Sequence, residues 1–175
     1  MLFLIVGPSG AGKDTLLALA RQRLAGKGFR FARRAITRPA DVGDEGHLAV
    51  ERADFERVRH AGGYALWWEA HGLLYGIPVD IENDLRAGRN VVASVSRAVL
   101  EFADSRYCVR ILEVFAPPEI LAGRLAGRAR EGVSDIAARL ARVVPLPEHL
   151  RVTRVLNDDS VELGAARMIA ALDPG

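Results

Sequence analysis

Short apolar runs alternate with helical patterns along the whole chain. The runs are continuous rather than alternating, as expected for strands that are buried on both faces of a parallel sheet. The clearest predicted strands are Leu2–Val6, Asn90–Val95, Val109–Ala116 and Val152–Leu156. Strands that alternate with helices in this way favour an α/β fold with a mainly parallel core sheet.

The predicted helices lie between these strands and repeat apolar residues at helical spacing. Proline at a first turn and a serine N-cap mark two of their starts. The predicted helices are Lys13–Ala25, Ala53–His60, Val79–Arg86, Pro117–Leu125, one that begins after Ser134, and Val161–Leu172.

Two segments do not follow this alternation of strands and helices. Residues 33–78 contain glycines, aromatic residues and short β-like pieces, which favours a small insertion that holds a second substrate. Residues 124–142 are rich in arginine and too charged to be fully buried, which favours a mobile element. We expect both within one domain spanning residues 1–175, because chains of this length usually form a single domain.

Composition narrows the function classes only slightly. The net charge is +2, so bulk charge does not indicate a nucleic-acid partner. No apolar run reaches the length of a membrane span and the N-terminus has no basic leader, so we expect a cytosolic protein. The single cysteine, Cys108, lies in an apolar setting and is expected to be a buried structural thiol.

The most specific motif is G-x-x-x-x-G-K, directly behind the first predicted strand and before the first helix. Its glycines let successive N–H groups point inward, and its lysine reaches the β- and γ-phosphates of a nucleotide. We therefore expect ATP to bind the residues Gly7, Pro8, Ser9, Gly10, Ala11, Gly12, Lys13, Asp14 and Thr15.

Asp14 stands where this motif usually has serine or threonine. Its carboxylate is a hard oxygen ligand for Mg²⁺, although it adds negative charge beside the triphosphate. The alternative is that Asp14 stabilises the helix dipole and that Thr15 supplies the hydroxyl that faces the metal. The predicted strand 90–95 and the two residues after it contain no carboxylate, which strengthens the hypothesis that Asp14 is the metal ligand.

Beyond the motif, the chain resembles the guanylate-kinase-like branch of P-loop kinases, and within it the ribose 1,5-bisphosphate phosphokinases of phosphonate breakdown. The resemblance extends over nearly the whole chain. It is carried by GPSGAGKD, by Arg34–Pro39, by Trp68–Pro78, by Val95–Ala98 and by Asn157–Asp159. It implies a three-layer P-loop NTPase fold with a mainly parallel five-stranded core sheet and a helical lid over residues 124–142. It also implies an ATP- and Mg²⁺-dependent kinase that converts ribose 1,5-bisphosphate to 5-phosphoribosyl 1-diphosphate.

Several residues differ from those of guanylate kinases, and these differences argue against GMP as the phosphate acceptor. Guanylate kinases grip the GMP phosphate with an arginine pair, of which only Arg38 is matched here, since Ala40 offers no second cation. Where they place threonine and serine after a Tyr-Gly pair, this chain has Ile77 and Pro78, whose side chains form no hydrogen bonds. GMP kinase remains an alternative, and a non-catalytic interaction module is a third, which the intact loop and lysine oppose.

The resemblance also implies roles for individual side chains. Besides Lys13, it assigns catalytic roles to Arg128 and Arg139 as lid arginines, and it places Arg124 at the phosphates and Asn157 beside adenine. Arginine suits this task because its fixed fork of donors neutralises charge on a transferring phosphoryl group. For the acceptor we expect Arg38, Glu69, Tyr75 and Arg97, the last because it follows the carboxyl end of a core strand.

Overall fold

The computed structural model describes residues 1–38, 47–126 and 146–173. Its main sheet has five parallel strands with helices on its faces, which confirms the α/β class and the five-stranded core. The strands lie in the order β2-β7-β1-β8-β9. They are β1 (Leu2–Val6), β2 (Phe29–Phe31), β7 (Asn90–Ser94), β8 (Val109–Phe115) and β9 (Val152–Leu156).

Strand β1 explains why its sequence is a continuous apolar run. All five of its residues are buried, from Leu2 to Val6, so the strand has no solvent-facing side. Strand β2 was not among the predicted strands, because its three residues give too short a pattern to recognise. Its position at the sheet edge depends on parallel pairing with β7, which local sequence does not show.

Most of the predicted helices are present, with ends that differ by a few residues. No helix in the described parts of the chain is both long and apolar enough to cross a lipid bilayer. The helix expected after Ser134 lies outside the described residues. The helices are α1 (Lys13–Arg23), α2 (Arg52–His60), α3 (Ile81–Arg86), α4 (Leu100–Arg106), α5 (Pro118–Ala126) and α6 (Val161–Leu172).

A second, four-stranded sheet occupies the region that was expected to be an insertion. Its order is β4-β3-β6-β5, with β3 (Arg34–Ile36), β4 (His47–Ala49), β5 (Tyr64–Ala70) and β6 (Leu73–Pro78). Strands β5 and β6 form an antiparallel hairpin. His71 and Gly72 at its turn both have positive φ angles, 53° and 73°, as tight hairpin turns require.

The chain divides into two compact units. The first unit consists of Met1–Leu4 and Ala25–Val109, and it contains the four-stranded sheet with α2, α3 and α4. The second unit consists of Ile5–Leu24 and Arg110–Gly175. In the second unit, α1 packs against α6, and α6 packs against β9.

Two local expectations have clear outcomes. Cys108 is exposed, so the expectation of a buried thiol was wrong: β8 begins only at Val109, and Cys108 precedes it. The adjacent tryptophans behave as strand alternation predicts, because Trp68 is buried and Trp67 is exposed. The ring of Trp67 lies against the Arg59 guanidinium of α2, which is 4.5 Å from the ring centroid.

A charge cluster ties β2 to α3 within the first unit. The carboxylate of Asp84 is buried and accepts a hydrogen bond from Arg30, and it forms an ion pair with Arg89. Arg30 also bonds the Asp80 carboxylate at 2.7 Å. The Arg30 guanidinium, with help from Arg89, holds the pKa of Asp84 below its ordinary range.

We expect Asp84→Asn to lower the free energy of unfolding at neutral pH by about 2 kcal/mol, because it weakens hydrogen bonds to charged groups. The folded-state pKa of Asp84 lies below its unfolded value of about 3.9, so its contribution is present above that pH and is lost as the pH falls through the lowered pKa. Urea unfolding of both proteins should therefore differ at pH 7 and converge in acid.

The matched control is Asp54→Asn, which breaks an exposed ion pair with Arg57 at the start of α2 and should change stability by less than Asp84→Asn does. Equal stability of the Asp84→Asn variant and the unchanged protein at pH 7 would contradict the assigned role of the cluster.

Candidate active site

The loop that follows β1 has the backbone geometry of an anion-binding turn. Gly7, Gly10 and Gly12 have φ angles of 148°, 82° and 86°, a region that side chains strongly disfavour. At Gly7 the crowding is also steric, since a Cβ there would collide with the carbonyl oxygen of Val114 in β8. The loop therefore needs glycine both for its conformation and for its close approach to β8.

Lys13 is held inside this loop. Its ammonium group donates to the carbonyl oxygens of Gly7 at 2.7 Å and Pro8 at 2.8 Å. These bonds place the cation over the start of the loop. A lysine so placed is suited to binding the phosphates of a nucleotide, as the motif predicts.

Helix α1 begins directly behind the loop with Gly12 as its N-cap. Gly12 has no side chain to accept a bond from the first turn, so capping is left to another acceptor. The positive end of the helix favours an anion there. Asp14 lies in this first turn and is exposed, as is the next residue, Thr15.

A pocket of about 330 Å³ opens beside the loop in the second unit. Its walls come from the loop, from α1, from α5 and from the start of α6. The lining residues are Gly10, Gly12, Thr15, Leu16, Arg124, Asn157 and Val161. Arg124 and Asn157, both predicted ATP-binding residues, are therefore brought together with the loop.

The segment after β9 is fixed by ionic and hydrogen bonds. Arg124 donates to the carbonyl oxygen of Asn157 at 3.1 Å. Asp158 accepts a hydrogen bond of 2.9 Å from Arg167 of α6, which keeps the pKa of the Asp158 carboxyl below its usual value. Ser160 caps α6 by accepting from the Leu163 N–H group. This segment is therefore firmly anchored to α6.

The two arginines assigned to catalysis, Arg128 and Arg139, lie outside the described residues, as does most of the predicted lid. Their roles stay predictions. Of the predicted lid residues, the structure describes Arg124 in the last part of α5.

In the first unit, strand register separates two of the predicted acceptor residues. Tyr75 pairs with Trp68, and their rings stack with centroids 5.3 Å apart. Glu69 pairs with Leu74 and so lies on the opposite face of the hairpin, where it is exposed and 4.0 Å from Arg52 of α2. Glu69 and Tyr75 are not brought together.

Arg38 and Arg97 have distinct surroundings. Arg38 contacts the buried side chain of His47, with 3.4 Å between Nε and Nε2. Arg97 begins a 3₁₀ turn, Arg97–Val99, whose N-cap Ser96 accepts from the Ala98 N–H group, and this turn packs against β5. Both arginines are partly buried, and both belong to the first unit.

Sequence reasoning missed Arg34 as a candidate acceptor residue. Its guanidinium donates to the Ser94 hydroxyl at 3.0 Å, at the carboxyl end of β7. Arg34 lies two residues from Ile36, and Ile36 pairs with Tyr75, so Arg34 and Tyr75 occupy the same face of the second sheet. The motif places Arg34 near Arg38 in sequence, but only the strand pairing reveals this shared face.

The described residues contain no group of three His, Cys, Asp or Glu side chains that could enclose a metal ion. A nucleotide-bound Mg²⁺ needs no such enclosure, because it keeps several waters and takes oxygens from the phosphates. One exposed carboxylate or hydroxyl at the start of α1 is then a sufficient protein ligand, and Asp14 and Thr15 both fit that need.

Comparison with known proteins identifies close sequence relatives, although no protein-family model matches the chain. The chain is 43% identical over 176 residues to ribose 1,5-bisphosphate phosphokinase PhnN of Rhizobium etli, covering 99% of this chain and 89% of that protein. It is 47% identical over 175 residues to a bifunctional ribose 1,5-bisphosphokinase-thymidine phosphorylase of Azorhizobium caulinodans. That match covers 98% of this chain but only 25% of the bifunctional protein.

Among solved structures, guanylate kinase from Anaplasma phagocytophilum matches with a TM-score of 0.67 at 20% identity, covering 99% of this chain and 84% of that one. At this identity the likeness concerns the fold alone. The sequence relatives are far closer, and several of them are matched over most of their own length. The chain therefore belongs to the family of ribose 1,5-bisphosphate phosphokinases.

Proposed function

We propose that this chain transfers the γ-phosphoryl group of ATP to ribose 1,5-bisphosphate and releases ADP and 5-phosphoribosyl 1-diphosphate. The observation that carries the proposal is the near-full-length identity of 43% to a ribose 1,5-bisphosphate phosphokinase, together with an intact phosphate loop. An oxygen of the acceptor's 1-phosphate attacks the γ-phosphorus, and the bond between this phosphorus and the β,γ-bridging oxygen breaks.

This reaction needs no strong general base. A phosphate monoester has a second pKa of about 6, so the attacking oxygen is already ionised at neutral pH. The chain's task is to hold two polyanions and to neutralise charge as the phosphoryl group moves. Lys13 and the loop N–H groups do this for the donor, and Arg128 and Arg139 are proposed to do so during transfer.

Magnesium, when bound with ATP, neutralises and orients the β- and γ-phosphates. We propose that Asp14 supplies its protein ligand, directly or through water. The proposal is supported by the position of Asp14 in the first turn of α1, and by the end of β7, which is serine rather than a carboxylate. Thr15, which lines the pocket, is the alternative ligand.

For the acceptor, we propose that Arg38, Tyr75, Arg97 and Arg34 bind phosphate groups. Tyr75 and Arg34 share a sheet face, and Arg34 is oriented by the Ser94 hydroxyl. Arginine is suited to the two phosphates of the sugar because its donors form paired bonds with phosphate oxygens. Glu69 remains a candidate for a sugar hydroxyl, on the face toward α2.

The proposed reaction predicts which acceptor supports ADP formation. With ATP and Mg²⁺, ribose 1,5-bisphosphate should yield ADP and an equal amount of 5-phosphoribosyl 1-diphosphate, measured by a coupled assay and by phosphorus NMR. GMP should yield little ADP. Formation of ADP with GMP alone would instead identify a guanylate kinase, and no ADP with either acceptor would favour a non-catalytic module.

The proposed metal ligand predicts a changed magnesium dependence. Asp14→Ser should raise the magnesium concentration that gives half-maximal activity by about tenfold, corresponding to about 1.4 kcal/mol. Binding of ATP without metal should weaken less or even improve, because the variant removes a negative charge. Thr15→Val is the matched comparison, and a magnesium titration altered by Thr15→Val but not by Asp14→Ser would assign the metal to the hydroxyl.

The proposed acceptor role of Arg34 predicts a selective effect on one substrate. Arg34→Ala should raise KM for ribose 1,5-bisphosphate by about tenfold to a hundredfold. This range corresponds to the free energy that hydrogen bonds to a charged group usually contribute. The KM for ATP should stay nearly unchanged. Arg57→Ala, which removes an exposed arginine of α2 in the same unit, should alter neither value. A uniform change in both KM values for Arg34→Ala would argue for a general structural role.

A further inference from the structure

Asn157 is a buried polar residue in the second unit, directly after β9. The residue is only 3% exposed. Its amide nitrogen Nδ2 donates to the Ala11 carbonyl oxygen in the phosphate loop at 2.8 Å. Its backbone N–H group donates to the Phe115 carbonyl oxygen of β8 at 2.8 Å. Both the main chain and the side chain of Asn157 are thus fixed, and the side chain bonds the loop itself.

Two glycines lie against this side-chain amide. A Cβ on Gly12 would stand 2.5 Å from Nδ2 of Asn157, and a Cβ on Gly164 would stand 2.5 Å from its Oδ1. Both distances are shorter than side-chain packing allows, so the amide fills the space that the missing Cβ atoms leave. Oδ1 is buried and has no hydrogen-bond partner among the described residues.

The contacts of Asn157 also fix the orientation of its amide. Turning the amide over would bring Oδ1 against the Ala11 carbonyl oxygen, two acceptors with no proton between them. The amino group is therefore directed at the loop, and the acceptor oxygen is directed at Gly164. Bidentate reading of adenine by an asparagine uses its donor and its acceptor together on one base edge, whereas here the donor Nδ2 is directed at the Ala11 carbonyl oxygen.

Helix α5 is joined to the same residue. Arg124 donates to the Asn157 carbonyl oxygen at 3.1 Å, and both residues line the pocket beside the loop. A connected path therefore leads from α5, through the backbone and side chain of Asn157, to the Ala11 carbonyl group. Ala11 lies between Gly10 and Gly12, the two loop glycines with φ angles above 80°.

We propose that Asn157 is a positioning residue for the phosphate loop: it acts through the Ala11 carbonyl group to fix the loop N–H groups for phosphate, and it does not read the base. The inference rests on the proposed binding of ATP, and it replaces the expectation that Asn157 borders adenine. A loop that is ordered before binding loses less conformational freedom when it takes up a polyphosphate.

Calorimetric titration of wild-type protein and Asn157→Ala with Mg²⁺-tripolyphosphate, Mg²⁺-ATP and Mg²⁺-GTP tests this role. Loss of the hydrogen bond should weaken binding of tripolyphosphate and ATP by the same factor, about fivefold to tenfold. The ratio of ATP to GTP affinity and the KM for ribose 1,5-bisphosphate should stay unchanged. Asn83→Ala, an exposed asparagine of α3, is the matched control and should bind all three as wild type does.

If Asn157→Ala weakened binding of ATP but not of tripolyphosphate, the inference would be overturned and Asn157 assigned to the base. The proposed nucleotide function would still stand. Wild-type protein that bound neither ligand would overturn the proposed nucleotide function and the inference with it.

A second variant, Asn157→Asp, keeps the side-chain volume, so it tests the same role if the alanine variant fails to fold. Its carboxylate cannot donate to Ala11, so it should weaken tripolyphosphate binding at least as much, and wild-type affinity in this variant would reject the role.

The glycine contact gives a second, independent check. Gly164→Ala should displace the amide and weaken tripolyphosphate binding in the presence of Asn157. In the Asn157→Ala background the space is open, so adding Gly164→Ala should have almost no further effect on that affinity. Additive losses in the double variant would show that Gly164 acts independently of Asn157, and would overturn the proposed arrangement.

Discussion

The close approach of the loop after β1 to its neighbours is the constraint on which the rest of the site depends. At Gly7 the backbone lies so near the Val114 carbonyl group that a Cβ has no room. At Gly12 it lies against the amide of Asn157. A chain packed this closely has no room for side chains on the faces toward these neighbours, and the positive φ angles of its glycines give the curled backbone that a phosphate-binding loop requires. The bare backbone is therefore as much a part of the site as any side chain.

Several of the proposed acceptor residues follow a different rule, because they lie on β3, β5 and β6, which pair antiparallel in the second sheet. In such a sheet, a shift of one residue moves a side chain to the other face. Tyr75 and Trp68 stack on one face, and Glu69, only one position from Trp68, is directed toward α2. The chemistry available on each face is thus set by strand register, and Arg34 enters the group with Tyr75 only through that register.

Features encoded locally could be predicted from sequence, and features that depend on distant pairing could not. The strand of five buried residues, the glycine motif and the start of α1 are all read from contiguous residues, and the structure has each of them. Strand β2 has three residues and depends on β7, and the bond between Arg34 and Ser94 joins residues sixty positions apart. The exposure of Cys108 was also not predictable from its apolar neighbours, because it depends on where β8 begins, one residue later.

The internal bonds of Lys13 have a consequence for which anions this loop can retain. The ammonium group donates to two loop carbonyl oxygens, so the loop's own backbone holds the cation at the start of the loop. A lone phosphate or chloride is small and engages only part of this arrangement, whereas a chain of phosphates can engage the lysine and the loop N–H groups at once. We therefore expect the loop to favour polyphosphates over smaller anions.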